Sequence, residues 1–170
     1  LLSSVQWSET EIVLFGKPVK VPRLTAWYGD AGASYVYSGL RNVPLPWTGE
    51  LELLRDLVSK KAGTPFNSVL LNRYRSGTDS VSWHSDDEPE LGPTPTIASL
   101  SLGATRRFRL RNKQTRETHG LELESGSLLL MDGESQRLWE HCVPKTKRQV
   151  GERINLTFRA IRAHQREILR

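Results

Sequence analysis

The segment Arg153-Ile154-Asn155-Leu156-Thr157-Phe158-Arg159 alternates residue by residue between polar and apolar side chains. Successive side chains of a strand point to opposite faces. Ile154, Leu156 and Phe158, with Ala160 just beyond, therefore share an apolar face, while Arg153, Asn155, Thr157 and Arg159 share one that carries two guanidiniums. In an ordinary half-exposed strand those charges lie in water. A jelly roll offers a second arrangement, with the apolar face packed under a helix and the polar face lining the barrel mouth. Both arginines then point inward at an anion.

Short runs with strand signals at 68–74, 81–84, 97–102, 107–111, 127–131 and 138–143 precede this segment, divided by turn residues. Such a series indicates an antiparallel sandwich or barrel of jelly-roll type. Farther upstream, 11–15 and 19–21 flank a Gly16-Lys17-Pro18 turn, which predicts a hairpin with Phe15 near its tip. One helix is predicted after Trp47: Thr48 caps it, Leu51, Leu54, Leu57 and Val58 recur at helical spacing, and Gly63 ends it. The expected fold class is mainly β with flanking helices (α+β), built on a jelly-roll core, also called a double-stranded β-helix. The stretch 86–96 holds Pro89, Pro93 and Pro95 and reads as a surface loop. No internal repeat or long linker divides the chain, and 170 residues suggest a single domain over 1–170.

Composition narrows the classes further. With 37% hydrophobic and 25% charged residues, the chain has the apolar content for a core, which argues against disorder. Cys142 is the one cysteine, so no disulfide forms within the chain and a reducing, intracellular home is expected. Apolar runs such as 128–131 are too short to cross a bilayer, and the start of the sequence lacks the order of a signal peptide. The charge balance of 24 Lys plus Arg against 19 Asp plus Glu gives +5, a mild invitation to a polyanion. The basic residues cluster as Arg106, Arg107, Arg109 and Arg111, as Lys145, Lys147 and Arg148, and as Arg162, Arg166 and Arg170. Each cluster reads as a phosphate-binding surface or as a solvated face.

His84-Ser85-Asp86 ends a predicted strand, and period-two geometry puts the imidazole and the carboxylate on one side. Of the other histidines, His119 falls in a polar loop and His164 in the basic tail, whereas His141 sits inside a later predicted strand. Two His and one carboxylate form a facial triad that leaves coordination positions open, as in non-haem Fe(II) oxygenases. Zinc is the rival metal for three N/O ligands and an open site. A zinc site would not account for Arg153 and Arg159, whereas an iron oxygenase with a dicarboxylate cosubstrate needs a cationic clamp, which Arg supplies with paired charge-assisted hydrogen bonds. Asn72 and Tyr74 alternate onto one face of the strand before the His-x-Asp. They face the same cavity or serve cross-strand hydrogen bonding.

Several segments together resemble a known family: Pro22-Arg23-Leu24-Thr25-Ala26-Trp27-Tyr28-Gly29-Asp30, Asn72-Arg73-Tyr74, His84-Ser85-Asp86-Asp87-Glu88-Pro89, Ile97-Ala98-Ser99-Leu100-Ser101-Leu102-Gly103-Ala104 and the 153–159 strand. In this order they resemble the AlkB family of Fe(II)- and 2-oxoglutarate-dependent nucleic-acid dealkylases, and are most similar to the branch holding the animal DNA-repair enzymes and their bacterial relatives. The resemblance implies Fe(II), 2-oxoglutarate and O2, with His84, Asp86 and His141 as iron ligands. It implies that Arg153, Tyr74 and Asn155 grip the distal carboxylate of 2-oxoglutarate and that Arg159 and Asn72 hold its chelating end. The damaged base would lie between Tyr37 and His84, near Tyr35 and Ser38, with Asp87 and Glu88 as acidic recognition residues. It further implies a nucleotide-recognition region with its helix at about 10–65, a catalytic core at about 66–161 and a basic tail at 162–170.

The implied reaction is oxidative demethylation of 1-methyladenine and 3-methylcytosine in DNA, releasing formaldehyde, succinate and CO2. N-methylation at these positions makes the base cationic, so a nearby carboxylate complements it. The lesion also blocks pairing and lowers the cost of flipping the base out. Leu14-Phe15-Gly16-Lys17 resembles the hairpin of duplex-active members, where an aromatic wedge fills the vacated stack; Phe15 alternatively packs the hairpin onto the sheet. The segments 24–27 and 80–89 look more like the single-strand-preferring enzymes. An RNA demethylase of the same chemistry, or a protein or small-molecule 2-oxoglutarate oxygenase, is the alternative. The expected partner is alkylated nucleic acid rather than a membrane, with the chain a monomer inside the cell, in the cytoplasm of a bacterium or the nucleus of a eukaryote.

Overall fold

A computed structural model describes residues 1–14, 16–33, 35–37 and 40–162, for the backbone alone at 12–14, 35–37 and 40–42. Phe15, Ser38 and residues 163–170 lie outside the described residues, as do the side chains of Tyr35 and Tyr37. Among the described residues, two antiparallel sheets make up most of the fold. The larger has the order β1 (Ser8–Leu14), β2 (Lys17–Gly29), β5 (Ser68–Tyr74), β12 (Arg153–Arg159), β7 (Ile97–Gly103) and β10 (Leu128–Met131). The smaller has the order β6 (Val81–His84), β11 (Trp139–Val143), β8 (Arg106–Asn112) and β9 (Thr118–Leu123). β3 (Tyr35–Tyr37) and β4 (Leu40–Asn42) form a separate ribbon.

The alternation along β12 sorts its side chains as the jelly-roll reading expects. Ile154, Leu156 and Phe158 join Val69, Leu71, Ala26 and Ala98 in a core that also takes in Leu51 and Val58 of α1 (Gly49–Ala62). The registers Arg153↔Tyr74, Asn155↔Asn72, Asn155↔Ser101 and Thr157↔Ser99 spread the other face of β12 into a polar surface three strands wide. The helix sits where its punctuation puts it. Thr48 Oγ1 accepts from the Leu51 N–H at 3.4 Å, and Gly63 takes the left-handed conformation (φ 68°) that closes the last turn.

Four local readings change. His119 belongs to β9, not to a loop: this edge strand is exposed over most of its length, so burial imposes no alternation that the sequence can display. Leu138 ends a short helix, α2 (Ser135–Leu138), ahead of β11. The first hairpin turns earlier than Gly16-Lys17-Pro18, since Leu14 pairs with Lys17. β2 then runs on to Gly29 through Pro22, whose missing N–H falls where the register slips between Glu9 and Glu11. The loop 86–96 contains one 3₁₀ turn, Pro89–Leu91.

Arg106 is not part of a surface cluster. It is 2% exposed, and its guanidinium donates to the carbonyls of Ser76, Asp79 and Pro144 at 3.0, 2.8 and 2.8 Å, tying three loop positions together. The Asp79 carboxylate in that knot accepts from the Arg75 backbone N–H (2.9 Å), Nε (2.8 Å) and Nη2 (3.0 Å). Burial alone would raise the Asp79 carboxyl, but the hydrogen bonds from Arg75 outweigh it and hold the group below the ordinary aspartate value. A depressed native value means that the ionised form stabilises the fold above the ordinary aspartate range, and that this contribution is lost as the pH falls through the native value. Asp79→Asn therefore lowers unfolding free energy most near neutrality, and the gap to the unmodified protein closes on acidification. Urea unfolding at a series of pH values measures it; a gap constant with pH would contradict the pairing.

Candidate metal centre and its cavity

β6 and β11 are neighbours in the smaller sheet, and His141 is paired directly with His84. Their rings lie 4.3 Å apart between centroids, tilted by 59°. Two residues on, Asp86 brings Oδ1 to 3.9 Å from His84 Nε2. One ligand atom from each of His84, Asp86 and His141 falls within 4.8 Å of the others. His84 Nδ1 lies 2.8 Å from the Ser82 carbonyl, and because a carbonyl only accepts, Nδ1 is the donor there and Nε2 is the ring nitrogen left to face a metal. His141 stacks on Phe108 at 5.3 Å. Burial, reinforced by His84, lowers the His141 imidazole to about 4, so it is neutral and able to ligate at physiological pH.

Asp86 is held from two sides. Its backbone N–H donates to Gln136 Oε1 at 2.9 Å, and its Oδ2 accepts from Arg159 Nη2 at 2.9 Å and Nε at 3.2 Å. Burial would raise the carboxyl, yet the charge around it, the Arg159 guanidinium foremost, holds it below its ordinary value. The carboxylate is thus ionised, with Oδ1 on the side of His84.

The triad shares one cavity with the polar face of β12: Arg153, Asn155, Thr157 and Arg159 all line it, with Asn72 and Tyr74 of β5. Arg153 is 2% exposed and lies over the Tyr74 ring, 5.2 Å from its centroid. Its Nη2 donates to Ser101 Oγ at 2.9 Å, whereas Nε and Nη1 are buried without a hydrogen-bond partner. Burial pushes this guanidinium below its ordinary value. Unpaired charged donors are costly in an interior. An anion in the cavity would satisfy them.

Of the acidic pair after the triad, Asp87 is exposed and 3.6 Å from Lys113 Nζ. Glu88 is more enclosed. Its Oε2 is buried without a hydrogen-bond partner, and burial raises its carboxyl although Arg159 works against that. A second, shallow and open pocket is lined by Glu88 with Trp27, Glu90, Leu91, Arg159 and Ile161. The geometry also brings in residues that sequence reasoning assigned no role. Arg23 lines the main cavity, and Gln136 braces Asp86. Arg23 stood in a quoted motif; Gln136, in an irregular stretch, carried no signal.

The sequence matches the 2OG-Fe(II) oxygenase superfamily over residues 1–159. The chain belongs to this superfamily. Within it, the similar proteins are AlkB homologues. The Mus musculus DNA oxidative demethylase ALKBH2 is 45% identical over 159 residues, covering 89% of this chain and 66% of that protein. The Homo sapiens alpha-ketoglutarate-dependent dioxygenase alkB homolog 3 is 42% identical over 171 residues, covering 95% of this chain and 59% of that protein. The chain thus spans between 59% and 66% of the length of these relatives. The solved structure of OsALKBH1 shares the fold, with a TM-score of 0.62 over 89% of this chain and 85% of that one at 20% identity.

A 2OG-Fe(II) oxygenase uses Fe(II), 2-oxoglutarate and O2, and the residues present fit that set. Two imidazoles and a carboxylate suit a divalent iron with positions left open. The two buried Arg153 nitrogens that lack an acceptor suit a carboxylate. Among the described residues, no helix is long and apolar enough to cross a membrane.

Proposed function

We propose that this chain oxidatively demethylates N-alkylated bases in DNA, 1-methyladenine and 3-methylcytosine among them, by direct reversal with release of formaldehyde, succinate and CO2. The observation that carries the chemistry is that the open His84, Asp86 and His141 triad and Arg153, with its Nε and Nη1 lacking an acceptor, share one cavity. The substrate class rests on the relatives named as DNA oxidative demethylases. Iron bound at the triad supplies oxygen activation coupled to 2-oxoglutarate decarboxylation. Arg153, with Tyr74 and Asn155 beside it, receives the distal carboxylate. Asn72 and Arg159 receive the end nearest the metal, and Arg159 also fixes Asp86 with Oδ1 left for the ion.

Glu88 supports a cationic base in particular, since a buried carboxyl oxygen without a partner is matched by a protonated or alkylated ring beside it. Asp87, Tyr35, Tyr37 and Ser38 complete the base site on this reading, and Phe15 is the wedge of the hairpin. Region 10–65 then handles the nucleotide, 66–161 is the catalytic core, and the chain acts on its nucleic-acid partner as a monomer.

Loading the protein with Fe(II) and 2-oxoglutarate without oxygen, then admitting oxygen with methylated DNA or RNA oligonucleotides, tests the proposal by mass. The expected result is loss of the methyl group from DNA, with matching succinate and formaldehyde. Loss from RNA alone would make it an RNA demethylase. Succinate formed with both oligonucleotides unchanged would point to a protein or small-molecule substrate.

A further inference from the structure

Arg23 lies on β2, and the register Thr25↔Asn72 puts it diagonally across from Asn72 on the neighbouring β5. Its Nε donates to Asn72 Oδ1 at 2.6 Å and its Nη1 to the Ser80 carbonyl at 3.3 Å. A guanidinium has donors and no acceptor, so the amide atom that faces it is the oxygen. The contact therefore fixes which way the Asn72 amide is turned. With Oδ1 engaged, Nδ2 is the group that this buried side chain, 6% exposed, has left for the cavity that it lines.

Asn155 contrasts with it. The Asn155 Nδ2 donates to Ser99 Oγ at 2.7 Å and the Leu100 carbonyl at 3.2 Å, and its Oδ1 accepts from Thr157 at 3.0 Å. Both ends of that amide are engaged within the protein, whereas Asn72 keeps a donor available.

We infer that Arg23 is a positioning residue for the cosubstrate: it holds the Asn72 amide in the one sense that presents N–H to a carboxylate. The inference rests on 2-oxoglutarate occupying this cavity. Turned the other way, the amide would set its oxygen against an anionic ligand. Arg23 acts through Asn72, and it links the strand that leaves the N-terminal hairpin to the cosubstrate pocket.

The test is a 2-oxoglutarate titration of the Mn(II)-loaded protein, followed by tryptophan fluorescence, with no turnover required. Arg23→Met is expected to weaken binding roughly 10-fold, the worth of one hydrogen bond at about 1.4 kcal/mol, and Arg23→Lys to recover part of it. In an Asn72→Ala background, Arg23→Met is expected to add nothing, because its effect runs through the amide. Asn72→Asp keeps an acceptor for Arg23, and so preserves the fold, but replaces the cavity-facing donor with a carboxylate oxygen; a loss of at least about 100-fold is expected, as for a charged repulsion of about 2.7 kcal/mol. Additive losses in the double variant, or unchanged affinity in Arg23→Met or Asn72→Asp, would overturn the positioning role. If the unmodified protein shows no saturable binding while still taking up Mn(II), the assignment of 2-oxoglutarate to the cavity fails, and the role of Arg23 with it.

Discussion

Arg153→Met is expected to raise the 2-oxoglutarate concentration needed for half-maximal turnover by about 100-fold or more while metal uptake is unchanged. The reason is the state of its guanidinium. Nε and Nη1 are buried without a partner, Nη2 holds Ser101, and the Tyr74 ring covers one face. A carboxylate in the cavity would give those two nitrogens an acceptor. Charge-assisted hydrogen bonds contribute about 1.5–3 kcal/mol each, and 2.7 kcal/mol is already a factor of about 100. The same argument sets an opposite sign for stability. A buried cation that lacks a counter-charge is a burden on the ligand-free fold, and an apolar residue of similar volume relieves it. Arg153→Met should melt at the same or a higher temperature than the unmodified protein without cosubstrate, and gain less from adding it. A variant with an unchanged 2-oxoglutarate requirement would remove Arg153 from the clamp.

Asp86→Ala should do more damage than the loss of one metal ligand. The carboxylate is almost fully buried and joined to Arg159, whose side chain is 14% exposed. Removing one member of a buried ion pair costs about 3–5 kcal/mol, because the other charge stays behind. Metal uptake should fall to background, and the metal-free protein should also unfold at lower urea. Combining Asp86→Ala with Arg159→Met separates the two effects: stability returns in part, since the cation that faced Asp86 is removed with it, while metal binding does not. Persistent metal binding in Asp86→Ala would mean that the triad is not the ligand set. Unchanged metal-free stability would mean that the pair with Arg159 contributes little to the fold.

The core and the triad were legible in the sequence because each follows a local rule. Alternation in 153–159 survives translation into space, since β12 lies inside a sheet with different surroundings on its two faces. The His-x-Asp spacing is likewise a local statement about one strand end. The third ligand, His141, was accessible by elimination among four histidines. What was hidden depends on long-range partners. Arg106 looked like one of a row of surface arginines, and only the convergence of three loop carbonyls makes it a buried strut. Arg111 of the same row pairs with Glu140 at 2.6 Å and lies 4.2 Å from the Trp83 ring centroid. Gln136 braces Asp86 across 50 residues of chain. β9 escaped notice because an exposed edge strand has no burial to write into its sequence.

The two-sided character of β12 also bears on how such a chain can change over time. One layer of backbone separates the cavity beside the triad from the core beneath α1, so odd and even positions answer to unrelated demands, one of the polar cavity and one of packing. Single substitutions can be tried on either side without consulting the other. A one-residue insertion or deletion inside the strand cannot, because it would exchange the two sets wholesale, driving guanidiniums under the helix and Ile, Leu and Phe into the iron pocket. Lineages built on this architecture are therefore free to vary the lengths of their loops, and bound to keep the count of residues in this strand.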